Sequence, residues 1–129
     1  MTNLTYKSGG RLEEIGSYAR ARRVGPFVYV AGTTAIEPTG KLHAPNDAYA
    51  QSIYILGRIE EALKACGAEL RHVVRTRAYV TSLPDHGPGF VRAHGEVFKG
   101  IDREMGSNWM TGSANCHLPA PRRLVSLGM

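Results

Sequence analysis

The run Phe27-Val28-Tyr29-Val30, entered from a Gly25-Pro26 turn and ending in Ala31-Gly32-Thr33-Thr34, constrains the fold most. Aromatic and β-branched residues in succession suit a pleated surface, so 27–33 reads as a strand. At its end Gly32 has no Cβ, which lets a backbone or a ligand come close. Thr33 and Thr34 add hydroxyls, making the strand end a ledge for a small ligand. Upstream, residues 18–23 alternate weakly and read as another strand, with Tyr18, Arg20 and Arg22 on one face. Residues 37–40 read as a turn with hairpin-like geometry.

The clearest helix covers 46–66, with Asn46 or Asp47 as its cap. Tyr49, Ile53, Leu56, Ile59, Leu63 and Cys66 recur at steps of three or four and form one apolar stripe. Gly67 suits the left-handed position that follows a helix. A strand is expected over 72–81. Its Val74, Thr76, Ala78 and Val80 face lies under the helix, while Val73, Arg75, Arg77, Tyr79 and Thr81 await a partner subunit. The prolines and glycines of 83–89 predict a loop, and 90–98 a shorter helix with Phe90, Ala93 or His94, Val97 and Phe98 inward. Residues 123–127 read as a last short strand. Strands interleaved with two helices predict an α+β layer, helices on one face of a mixed sheet.

A chain of 129 residues with 43% hydrophobic content is one domain, 1–129, able to bury a core without disulfides or metals. The two cysteines, Cys66 and Cys116, form no paired motif and suit a reducing cytoplasm. No leading apolar core occurs, and no apolar run approaches the ~20 residues of a membrane span. The net charge of +5 points to a solvated basic surface first and an anionic partner second.

Five histidines, His43, His72, His86, His94 and His117, show no metal-ligand spacing, and no phosphate-loop, dinucleotide or hydrolase-elbow motif occurs. Neither a metal nor a cofactor is expected. Cys66 reads as a core residue, and Cys116 beside His117 as inert, since strand neighbours point to opposite faces. Arg20, Arg22, Arg23, Arg75, Arg77 and Arg92 would converge if their strands were neighbours. Pairing with Glu13, Glu14, Asp47 or Glu69 is the ordinary alternative.

Several blocks come in order: Gly16-Ser17-Tyr18, Val24-Gly25-Pro26, Val28 through Thr34, Ala50-Gln51, Ile59 through Leu63 with Gly67-Ala68, Val73 through Arg77, and Ala93 through Phe98. With these, the chain resembles the Rid family of imine deaminases, whose older label is L-PSP endoribonuclease, over residues 11–98. The resemblance implies a chorismate-mutase-like α+β homotrimer with clefts between subunits. It also implies hydrolysis of a small 2-imino or enamine acid to a 2-keto acid and ammonia. Tyr18 matches the family's site tyrosine and Gly32 its strand-end glycine, flanked by Thr33. Arg92 falls where deaminases usually have an asparagine. From about residue 99 the pattern departs: Met110 stands at the carboxylate-binding arginine position, Gly128 at that of the water-positioning glutamate, and Arg103 is the nearest upstream arginine. The expected substrate-binding set is therefore Tyr18, Gly32, Thr33, Arg92 and Arg103. A non-catalytic trimer binding a small carboxylate metabolite or a protein, and RNA binding or cleavage, are the second and third readings.

Overall fold

The computed structural model describes residues 3–73 and 75–101 and, as backbone, the strand Val125–Gly128. Five strands form one mixed sheet: β1 (Leu4–Tyr6), β2 (Ala21–Val24), β3 (Phe27–Thr33), β4 (Thr76–Tyr79) and β5 (Val125–Gly128), in spatial order β1-β2-β3-β5-β4. β1, β2 and β3 are antiparallel, whereas β5 runs parallel to both β3 and β4. The expected strand 27–33 is present residue for residue. Gly25 takes the positive φ of +57° that a tight hairpin demands, and Val24 then pairs with Phe27. Ile36 bridges Leu42 across the expected turn at 37–40. β5 differs most from expectation: a terminal segment of four residues occupies an interior place and joins the hairpin half of the sheet to β4. No single-strand pattern reveals such a placement.

The strand expected over 18–23 begins only at Ala21. A short helix, α1 (Arg11–Ile15), precedes it, and residues 17 and 18 close that helix: Ser17 has φ +53° and the Tyr18 N–H donates to the Glu13 carbonyl. The strand expected over 72–81 shortens to β4, because 70–72 form a 3₁₀ turn capped by Glu69.

Helix α2 (Ala48–Ala65) starts where Asp47 accepts a hydrogen bond from the Ala50 N–H at 3.0 Å. Leu56, Ile59, Leu63 and Cys66 of the expected stripe are buried, but Ile53 is 36% exposed. The buried face instead includes Ala48, Ser52, Ile55 and Ala62, because α2 packs against a second helix as well as the sheet. That helix, α3 (Leu83–Val97), corrects the expected loop at 83–89. Pro84 sits in the first turn, where its missing N–H has no helical partner. Gly89 lies so near α2 that a Cβ there would stand 3.0 Å from the Tyr49 nitrogen. Gly89, which reads as a loop former, is a contact point between the two helices. Phe90, Ala93 and His94 face inward as expected, and His94 Nε2 meets Thr76 Oγ1 of β4 at 2.8 Å.

Both helices cover one face of the sheet, where Ile55, Leu56, Ile59 and Leu63 close over Ala21 and Val30. The other face carries Thr5, Arg22 and Tyr29, with Val24 42%, Phe27 41% and Tyr29 45% exposed. Arg23 ties the hairpin to α2: its Nε donates to the Gly25 carbonyl at 2.9 Å and a terminal nitrogen to the Cys66 carbonyl at 3.1 Å. A cation at that end also complements the helix dipole. Gly67 takes a φ of +75°, which favours glycine, and a Cβ there would crowd the Arg23 guanidinium at 2.8 Å. Gly67→Ala is expected to lower stability by at least about 1–2 kcal/mol, read as a lower urea midpoint with an unchanged slope.

Candidate functional site

The site is built on a buried ion pair. Arg20 and Glu13 are each only 4% exposed, and Arg20 Nε donates to Glu13 Oε1 at 3.0 Å. The Ser8 N–H (2.9 Å) and Ser8 hydroxyl (2.5 Å) donate to the same carboxylate. A terminal nitrogen of Arg20 donates to the Gly32 carbonyl and to Thr33 Oγ1, both at 2.9 Å, and the Thr33 hydroxyl donates to the Ala31 carbonyl at 3.0 Å. One guanidinium thus joins the end of β1, α1, the start of β2 and the end of β3. Pairing with Glu13 was the ordinary alternative for this arginine, and it holds. Burial pushes the Glu13 pKa up, but the Ser8 hydroxyl, the Ser8 N–H and the Arg20 charge together outweigh it and hold the carboxyl below the usual range.

Tyr18 rests on this pair, its ring centroid 5.5 Å from the Arg20 guanidinium carbon. Gly16 makes the room: a Cβ there would stand 2.8 Å from the Tyr18 ring. Tyr18 then lines an open cleft of about 420 Å³ with Thr5, Lys7, Ser17, Arg22, Tyr29 and neighbouring backbone. The described lining holds two cations, two phenols and two hydroxyls, but no carboxylate and no imidazole. Such a surface suits a small anion with an apolar body.

Of the expected residues, only Tyr18 is part of this lining. Gly32 and Thr33 lie behind it, where their carbonyl and hydroxyl hold Arg20. Space beside the Gly32 Cα is open among the described residues. Arg92 stands on the helix layer, 4.0 Å above the Tyr49 ring of α2, and the structure does not bring it to Tyr18. Arg103 and Met110 lie outside the described residues. Gly128 lies in β5, in register with Tyr79. Because β3 and β5 separate β2 from β4, Arg22 and Arg77 do not converge. The sequence reading missed Lys7, Ser17 and Tyr29. Tyr29 was legible in principle, since it pairs with Arg22 across a two-residue turn. Among the described residues no three His, Cys, Asp or Glu side chains gather to hold a metal.

The model of the family described as Endoribonuclease L-PSP matches residues 9–114. The chain belongs to this family. Among L-PSP relatives, a RutC family protein of Pyrococcus abyssi is 36% identical over 55% of this chain and 56% of its own length. The chain therefore spans little more than half of that relative. A 2-iminobutanoate/2-iminopropanoate deaminase of Mus musculus is 27% identical over 57% of this chain and 54% of its own. A crystal structure from Mycobacterium tuberculosis, of a member of the YjgF/YER057c/UK114 family, superposes with a TM-score of 0.66. It is 30% identical and covers 88% of this chain and 92% of the other. The L-PSP match ends at residue 114, part-way into the stretch from about residue 99 in which the sequence pattern diverges.

Glu13→Gln is expected to cost about 3–5 kcal/mol at neutral pH, because it leaves Arg20 buried without its counter-ion. The folded carboxyl titrates below the ordinary 4.5, so its contribution is complete above that pH and fades as pH falls through the lowered value. Urea titrations from pH 7 to 3 should show the gap between wild type and Glu13→Gln closing only below about pH 4.5. A gap independent of pH would remove the ionic account.

Proposed function

We propose that this L-PSP family member is a hydrolytic deaminase of small 2-imino or enamine acids, releasing a 2-oxo acid and ammonia at the Tyr18 cleft. One observation carries the reading. A phenol seated on a buried guanidinium opens onto a cleft whose described lining has two cations and no acid, in a family with a mouse imine deaminase among this chain's relatives. The substrate is an anion, and the cleft's charge suits it. Water adds to the carbon of the C=N bond, giving a carbinolamine. Collapse of that adduct forms the carbonyl and expels ammonia, with one proton passing from oxygen to nitrogen. Tyr18 Oη is the group at hand to orient the water.

In this reading the working unit is a homotrimer of chorismate-mutase-like subunits, sheets inward, with each cleft completed by a neighbour. The exposed Val24, Phe27 and Tyr29 on the face away from the helices support that arrangement. The setting is the cytoplasm, consistent with two cysteines in no paired motif. Among the described residues no helix is long and apolar enough to cross a membrane.

A second reading, binding of a carboxylate metabolite without turnover, is favoured by Gly128. The resemblance puts a water-positioning glutamate there, and glycine offers no carboxylate. The two separate in one assay: 2-iminobutanoate, generated in situ from threonine by a dehydratase, is followed as 2-oxobutanoate appears. Deamination predicts release faster than the spontaneous reaction, with kcat/KM falling at least about tenfold in Tyr18→Ala. No acceleration by folded, trimeric protein would overturn it in favour of binding alone.

A further inference from the structure

We infer that Lys7 and Arg22 form the anion grip of the Tyr18 cleft and select a substrate with two carboxylates, a dicarboxylic 2-imino acid. This rests on the deaminase reading for the reaction, though not for the binding. Arg20 is buried on Glu13, Arg23 serves the Cys66 and Gly25 carbonyls, and Arg71 pairs with Glu69. Arg92 lies on Tyr49, away from the cleft. Lys7 and Arg22 line the cleft and, among the described residues, neither meets a carboxylate. With Met110 at the family's carboxylate-binding arginine position, another cation is needed for the anion contact, and these two side chains supply charge where Tyr18 stands.

Their placement suits two anionic groups better than one. Thr5 pairs with Arg22 and Tyr6 with Ala21, so Lys7 follows on the face of Thr5 and lies diagonal to Arg22. Diagonal neighbours across a strand pair are about 7–8 Å apart, so each long side chain can take its own carboxylate of a small diacid, and two cations held side by side balance two negative charges better than one. Arg22 also stands opposite Tyr29, a cross-strand pair in which the ring can flank a planar guanidinium and leave its fork for a bidentate carboxylate. Lys7 then meets the second carboxylate as a point charge. A cleft of about 420 Å³ has room for a four- or five-carbon diacid.

The test is calorimetric binding of two stable 2-oxo acids, 2-oxoglutarate and 2-oxobutanoate, to wild type, Lys7→Gln, Arg22→Gln and Arg22→Lys at low salt. A charge-assisted contact corresponds to about ten- to hundredfold in affinity. The wild type should bind 2-oxoglutarate at least about tenfold more tightly than 2-oxobutanoate. Lys7→Gln should erase that preference, weakening 2-oxoglutarate more than 2-oxobutanoate. Arg22→Gln should weaken both acids, and Arg22→Lys should restore part of the loss. Equal affinities for the two acids, no binding to wild type, or variants with native circular dichroism that bind like wild type would each overturn the inference. If binding follows this pattern while no imine is turned over, only the catalytic reading fails. If 2-iminobutanoate turns over normally in Arg22→Gln, the grip fails and the deaminase reading survives.

Discussion

Everything near Tyr18 depends on a single charge placed out of water. A guanidinium 4% exposed is tolerated only where its donors find acceptors, and Arg20 finds a carboxylate, a carbonyl and a hydroxyl from separate parts of the chain. The arrangement is directional. A hydrophobic replacement would bury as much surface but would not fix the end of β3 relative to α1. Tyr18 inherits its position from this: its ring lies over Arg20, its N–H is held by the Glu13 carbonyl, and Gly16 leaves it space. Gly32 and Thr33 belong to the same construction, as acceptors that keep the guanidinium in place.

The same logic recurs on the helix side of the sheet. Arg23, one strand position beyond Arg22, sends its fork to the carbonyl end of α2 and turns a residue of the hairpin into a helix cap. Three arginines in and just before β2 thus do three jobs. Arg20 organises the site, Arg22 faces the open cleft and Arg23 fastens the hairpin to α2. The alternation of a strand separates Arg22 from Arg23, and Arg20 differs from Arg22 because α1 covers it.

Much of this was legible from residues alone. β3 was expected in full, α2 within two residues at its start, and the α+β layer with helices on one face followed from the order of elements. Expectations failed where tertiary contacts override local preference. The Pro- and Gly-rich start of α3 is helical because Pro84 needs no helical partner and Gly89 lets α2 approach. β5 lies inside the sheet between β3 and β4, a placement decided by pairing between distant segments. In the site, a family resemblance pointed to Tyr18, and Arg20 pairing with Glu13 was among the alternatives. Which arginine is buried and which is open depends on α1, a five-residue helix with too few residues for a periodic signal. Lys7 and Tyr29 join the cleft only through strand register.

The central claim is that Glu13 and Arg20 act as one unit on which the site rests. A double-mutant cycle of Glu13→Gln and Arg20→Gln, read by urea unfolding at pH 7, measures that unity directly. The account predicts strong non-additivity: the double variant should lose much less than the sum of the singles, by about 2 kcal/mol or more, because each single change strands its buried partner. Losses that add to within about 0.5 kcal/mol would mean the two side chains contribute independently, and the ion pair would lose its place as the foundation of the site.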